Sequence, residues 1–168
     1  VDATVPWEPY LSQSLRELGD NGVEVSRAAP GYVADVIGVL ANEEFIAANP
    51  ELLEQFALGM LEATRFVRQN PEDAAQIATY YLDGLNLDDA SSGIRYMSWD
   101  PRISICTDEG LMQTGNEMIE DGLIVADPFV AEDFADRAVL DKVLGENPEL
   151  TSDLAALPTD LADCQGAL

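Results

Sequence analysis

Apolar residues along the chain fall into two kinds of spacing. Short runs of alternating or continuous apolar character read as strands: Val1–Val5 (VDATV), Gly22–Ser26 (GVEVS) and Tyr32–Leu40 (YVADVIGVL). Elsewhere apolar positions recur every three or four residues, the spacing of one buried helix face. Tyr10, Leu11, Leu15 and Leu18 mark a first helix, with Pro9 near its first turn and Gly19 or Gly22 at its end. Leu53, Phe56, Met60, Thr64 and Val67 mark a long one. Ala74, Ile77, Ala78, Tyr81 and Leu82 mark the next, which stops near Gly84.

Polar punctuation sharpens these limits. Asn42 is placed to cap a short helix opening with Glu43 and Glu44. The triplet Asn-Pro-Glu occurs at 49–51, 70–72 and 147–149, each time where a helix is due to start. Proline at the first helical position loses nothing, because that N–H has no partner anyway, and the acid suits the positive helix end. The third triplet predicts a short helix to about Leu157. Leu85–Ser92 suits a short connection in which Asp88 or Asp89 starts another turn of helix. Ile94–Ile105 contains Pro101 and reads as strand-like pieces around a bend. Thr107 or Asp108 is expected to cap a helix holding Leu111, Met112, Gly115, Met118 and Ile119, ended by Gly122. Leu123–Phe129 is extended, and Phe134–Leu144 is a further helix. The tail from Pro158 is loose unless Cys164 ties it down. Short strands each followed by helix favour an α/β class with parallel strands. The strands are too few for a self-contained sheet, which points to a missing part upstream.

Composition narrows the function classes. The 168 residues are 47% hydrophobic, enough for a core. Thirty-two acids against eight bases give a formal charge of -24, and there is no histidine. Such a surface repels nucleic acid and anionic lipid. The acids are dispersed, as a salt-rich surrounding tolerates, because salt screens self-repulsion. No run reaches the ~20 apolar residues of a membrane span. The chain opens inside an apolar segment, so it reads as a mature, processed or truncated piece, from which a leader could have been removed. Cys106 and Cys164 are either two separate thiols or a disulfide pinning the C-terminal tail. The bonded form implies an oxidising compartment. Two cysteines without histidine make a poor metal set, and no cofactor is expected.

Few residues carry candidate chemistry. Trp7-Glu8-Pro9-Tyr10 stands where a strand gives way to a helix, the end of an open α/β sheet at which ligands bind. Trp7 is suited to stack on a flat or cationic group, and Glu8 to accept a hydrogen bond or pair with an ammonium. The plainer alternative has Trp7 filling a core gap and Glu8 favouring the positive helix end. Asp35, inside an apolar strand, either faces water at an edge or points into a cleft that Tyr32 shares. Trp99-Asp100-Pro101-Arg102 reads as a turn with a local Asp–Arg pair. No histidine serves as general base, neither GxGxxG nor GxxxxGK is present, and the paired carboxylates lie at helix starts. Nothing argues for an enzyme.

Four stretches together carry a resemblance: VDATVPWEPYLSQSL, YVADVIGVLANEEFIAANPELLEQFALGMLEATRFVRQNPEDAAQIA, YMSWDPRIS and LMQTGNEMIEDGLI. In order and spacing, from about Val1 to Leu144, they resemble the C-terminal half of periplasmic substrate-binding proteins of ABC importers, in the nitrate/sulfonate/taurine and thiamine-precursor group. The resemblance implies a helix-rich C-terminal part of a two-lobed α/β fold of the type II periplasmic-binding class. Residues 1–30 would finish the second lobe and 31–41 would be the crossing strand and hinge. Residues 42–157 would complete the first lobe, and 158–168 would be a tail. It implies Trp7, Glu8, Tyr32 and Asp35 as ligand-binding positions around a small polar organic molecule or anion. It also implies delivery to a membrane permease, a missing N-terminal half in the same or a separate chain, and a periplasmic or extracellular location, with a membrane anchor on the missing N-terminus as one form. Some relatives make a pyrimidine from an active-site histidine; its absence here favours binding. The rival expectation is a helical module that binds a partner protein through its apolar faces.

Overall fold

The computed structural model describes residues 2–26, 38–128, 130 and 136–164. Among them the secondary structure is helical. Seven α-helices follow one another: α1 (Tyr10–Leu18), α2 (Glu43–Ala48), α3 (Pro50–Gln69), α4 (Pro71–Tyr81), α5 (Leu87–Tyr96), α6 (Ile105–Glu120) and α7 (Ala138–Glu146). Turns of 3-10 helix lie at Gly19–Asn21, Pro148–Thr151 and Leu161–Cys164. No strand occurs among the described residues, so the expected α/β class is replaced by a helical one. Residues 2–5, 22–26 and 123–128 run without a ladder partner. A strand is held by its neighbour's backbone groups, and an alternating pattern of five residues does not supply that neighbour. Most of the Tyr32–Leu40 run lies outside the described residues, so the proposed crossing strand is not among them.

The helices divide into two units, with the boundaries inside α3, after Leu61, and after Asp100. The first unit comprises Val1–Ala28 and Glu62–Asp100. Here α5 packs on both α1 and α4. Its buried positions are small: Ala74, Ala75, Ala90 and Gly93. Small side chains let helices approach closely. A Cβ on Gly93 would stand 3.3 Å from the Pro9 Cβ, tighter than ordinary van der Waals contact. Asp89, 4% exposed, is the buried charge of this unit among the described residues. Arg16 on α1 donates through Nε to its Oδ2 at 3.0 Å, and Asn86 caps α5 by accepting the Asp89 amide at 2.8 Å. A buried carboxylate needs such a partner as Arg16, which ties α1 to the start of α5, while Asn86 satisfies a first-turn amide of α5 itself. Contrary to the expected strand-like bend from Ile94, α5 continues to Tyr96.

The second unit comprises Ala29–Leu61 and Pro101–Leu168. Its core joins Leu61, Val143 and Leu150, with Ala57, Leu58, Leu140 and Leu144 around them. Leu61 has no exposed surface. Ser104, not Thr107 or Asp108, caps α6: its hydroxyl accepts the Thr107 amide, and the Thr107 hydroxyl takes the Ser104 amide in return. Arg137 pairs with Asp108, and Lys142 with Glu54 at 2.7 Å. The hydrogen bond that Lys142 donates to the Glu54 carboxylate holds its ammonium above the usual lysine range. Cys106 in the first turn of α6 and Cys164 in the last 3-10 turn form a disulfide across 58 residues. Arg102 Nη2 donates to the Ala155 carbonyl at 2.7 Å.

Pro50 and Pro71 open α3 and α4 as expected, with Glu51 and Glu72 in the first turns, but the asparagines of the Asn-Pro-Glu triplets work differently from their expected capping role. Asn49, Asn70 and Asn147 adopt nearly one geometry, with φ/ψ of -135/49, -134/58 and -131/57 degrees. Each donates from its side-chain Nδ2 to the carbonyl four residues back: Phe45 at 3.0 Å, Phe66 at 3.1 Å and Val143 at 2.9 Å. The backbone N–H of each goes to that same carbonyl. Side chain and backbone of each asparagine therefore converge on one carbonyl in the last turn and close the preceding helix. Proline bars the preceding residue from the helical region and starts the next element at once. The third triplet opens only the turn Pro148–Thr151, shorter than the helix expected to about Leu157.

Candidate functional site

Two places in the first unit gather aromatic and charged groups. At the corner before α1, the Trp7 side chain is 70% exposed and does not fill a core gap. Its ring meets Tyr10 edge to face, with centroids 6.3 Å apart and planes at 80°. Glu8 lies at the helix start. Its Oε2 accepts the Ser12 hydroxyl at 2.9 Å and the Ser12 amide at 3.4 Å. Ser12 Oγ is 2.8 Å from Ser92 Oγ on α5. A hydroxyl has one proton, so a Ser12 that donates to Glu8 accepts from Ser92. The carboxylate thus orients the Ser12 hydroxyl, which links α1 to α5 through Ser92, and satisfies an N-terminal amide, while Trp7 and Tyr10 present ring surface outward. The Glu8–Pro9 peptide is cis. Tyr32 and Asp35, the other two positions expected at a ligand, lie outside the described residues.

The second place is a groove of about 470 Å³ where the end of α3, the first turn of α4, α5 and Trp99 come together. Val67, Pro71 and Ile94 give it apolar walls. Arg68, Arg95 and Glu72 supply charge, and Ser91 a hydroxyl. Trp99 is fixed at two points: its Nε1 donates to the Ile94 carbonyl at 3.0 Å, and its own carbonyl accepts Arg68 Nη1 at 2.9 Å. Nearby on α3, Arg65 has a buried Nε without a hydrogen-bond partner among the described residues.

The sequence points to the first place and not to the second. In the sequence Trp99 reads as part of a turn. Its companion Arg102 bonds the Ala155 carbonyl, and the partners that fix Trp99 come from α3 and α5. A signal was present. In a chain with eight bases, Arg65 and Arg68 stand one helical turn apart, and Arg95 precedes Trp99 by four residues. Among the described residues no group of three acids or cysteines is arranged to hold a metal ion. Likewise no described helix is long and apolar enough to cross a membrane. Scans of protein-family models, curated proteins and solved structures each gave no match.

Proposed function

We propose that the chain is part of the solute-binding component of an ABC importer, and that the corner at Trp7 and Glu8 touches the captured solute. The observation that carries this reading is the outward Trp7 ring, set at a right angle to Tyr10 and next to a carboxylate. Two faces of aromatic surface beside an acceptor suit an amine-bearing or heteroaromatic solute. A bare anion such as nitrate would need donors from elsewhere. The four stretches in the family's order and spacing support the assignment, and a disulfide suits an oxidising, extracytoplasmic compartment. In this reading the helices belong to a type II periplasmic-binding fold whose other half completes the cleft. The segments at 2–5 and 22–26 pair as strands only in that complete protein. Closure around the solute then presents the protein to a membrane permease.

The test is calorimetric titration of the complete protein with taurine, nitrate and pyrimidine ligands. A Trp7→Ala, Glu8→Gln double variant is expected to lose at least about tenfold in affinity, the scale of one lost charge-assisted contact. Wild-type affinity in that variant removes the corner from the site. A second reading, a helical module that binds a partner protein, draws on large side chains left outside, such as Tyr80 and Tyr81 at the end of α4.

A further inference from the structure

We propose that the groove between the end of α3, the start of α4 and α5 is a second binding site, which takes an aromatic monocarboxylate. Its ring would lie against Trp99 and its carboxylate on Arg95. The inference uses the groove's own residues and stands apart from the corner at Trp7.

The indole of Trp99 is held at both ends before any ligand arrives. Its N–H is spent on the Ile94 carbonyl, and its backbone carbonyl holds Arg68. What it offers the groove is ring surface alone. Val67, Pro71 and Ile94 extend that surface without adding a donor or acceptor side chain. An apolar, planar body fits such walls, and a wall fixed in advance costs little entropy on binding. The volume of about 470 Å³ falls in the range of sites that hold small organic molecules, roughly 300–1,000 Å³.

Charge selects the head group. Arg68 is committed to the Trp99 carbonyl. Arg95 is exposed on the last turn of α5 and makes no hydrogen bond or ion pair among the described residues. At that position a cation also suits the helix end, which accounts for its presence on α5 without accounting for the groove beside it. A planar guanidinium pairs with a carboxylate through two parallel hydrogen bonds. Ser91, on the same wall, adds a hydroxyl donor. Glu72 lines the groove as well and sets an upper limit on negative charge. With a carboxylate in place and a formal charge of -24 around it, a dianion is repelled, so a single carboxylate is favoured over a phosphate ester.

The chain has two tryptophans, so a Trp7→Phe variant leaves Trp99 as the sole indole. Benzoate is titrated into this full-length variant at constant ionic strength, and the emission of Trp99 is followed. The expected result is a saturable change in the millimolar range, weakened about tenfold or more when Arg95→Gln is added and when neutral benzamide replaces benzoate. Arg95 is on the surface, so the variant keeps the helical circular dichroism of its parent. No saturable change, or a change indifferent to Arg95→Gln, overturns the site. Equal response to benzamide overturns the carboxylate assignment. Because the corner has lost its indole in this background, none of these outcomes bears on the solute reading at Trp7.

Discussion

Asp89 shows how one residue decides the packing of its neighbours. Its carboxylate is buried, its amide is capped by Asn86, and Arg16 reaches it from α1. Removing the acid leaves the guanidinium facing a buried gap. Asp89→Ala is expected to lower stability by roughly 2 kcal/mol, the scale of a hydrogen bond to a charged group, with Arg16 partly in water keeping the loss below that of a fully buried pair. Urea unfolding followed by circular dichroism measures it; a change within about 0.5 kcal/mol, the range of ordinary surface substitutions, would assign the pair no role. In the sequence Asp89 was visible only as a helix starter. Acids in a first turn are common, and nothing local announced that Arg16, 73 residues away, would meet it. Gly93 was silent for the same reason, since its need for a missing side chain comes from Pro9 across the interface. Trp7 and Glu8 were legible because both lie in one unusual local run.

At the scale of elements, periodicity found α1, α3, α4 and α6 and the end of α1 at Gly19, but missed most of α5 and the way asparagines close α2, α3 and α7. The long apolar face from Leu53 to Val67 and the next from Ala74 correspond to α3 and α4. The error lay in direction. Asparagine carries both a donor and an acceptor, and the sequence does not say which one a helix junction uses. The expected strands were missed because strand formation depends on a non-local partner, whereas a helix satisfies its backbone from within. The disulfide acts on elements too. It joins α6 to the last 3-10 turn and closes a loop of 58 residues in the unfolded chain. By chain entropy that closure contributes about 4 kcal/mol. Reduction, or Cys106→Ser with Cys164→Ser, is expected to lower the unfolding free energy by about that much; an unchanged urea midpoint would show that the link contributes nothing.

For the whole molecule, two opposed forces follow from the surface. The charge of -24 keeps copies apart, while large apolar side chains such as Phe56, Tyr80 and Tyr81 stand in solvent. At about 0.01 M salt repulsion acts over ~30 Å; at about 1 M salt the screening length falls to ~3 Å and apolar contact decides. If these side chains await the other half of a two-lobed protein, light scattering will show self-association growing with salt and suppressed when that half is added. A monodisperse chain at both salt levels would favour the partner-protein module. The net charge also bears on how the protein ages. Asparagine converts to aspartate when the next residue's backbone nitrogen attacks its side chain, and proline lacks the N–H this requires. Asn49, Asn70 and Asn147 all precede proline, so the three helix ends they close are shielded from that chemistry. Asn21, followed by Gly22 in an exposed turn, has no such shield. The first extra negative charge of an old sample therefore falls in the 3-10 turn after α1, and not at an asparagine that closes an α-helix.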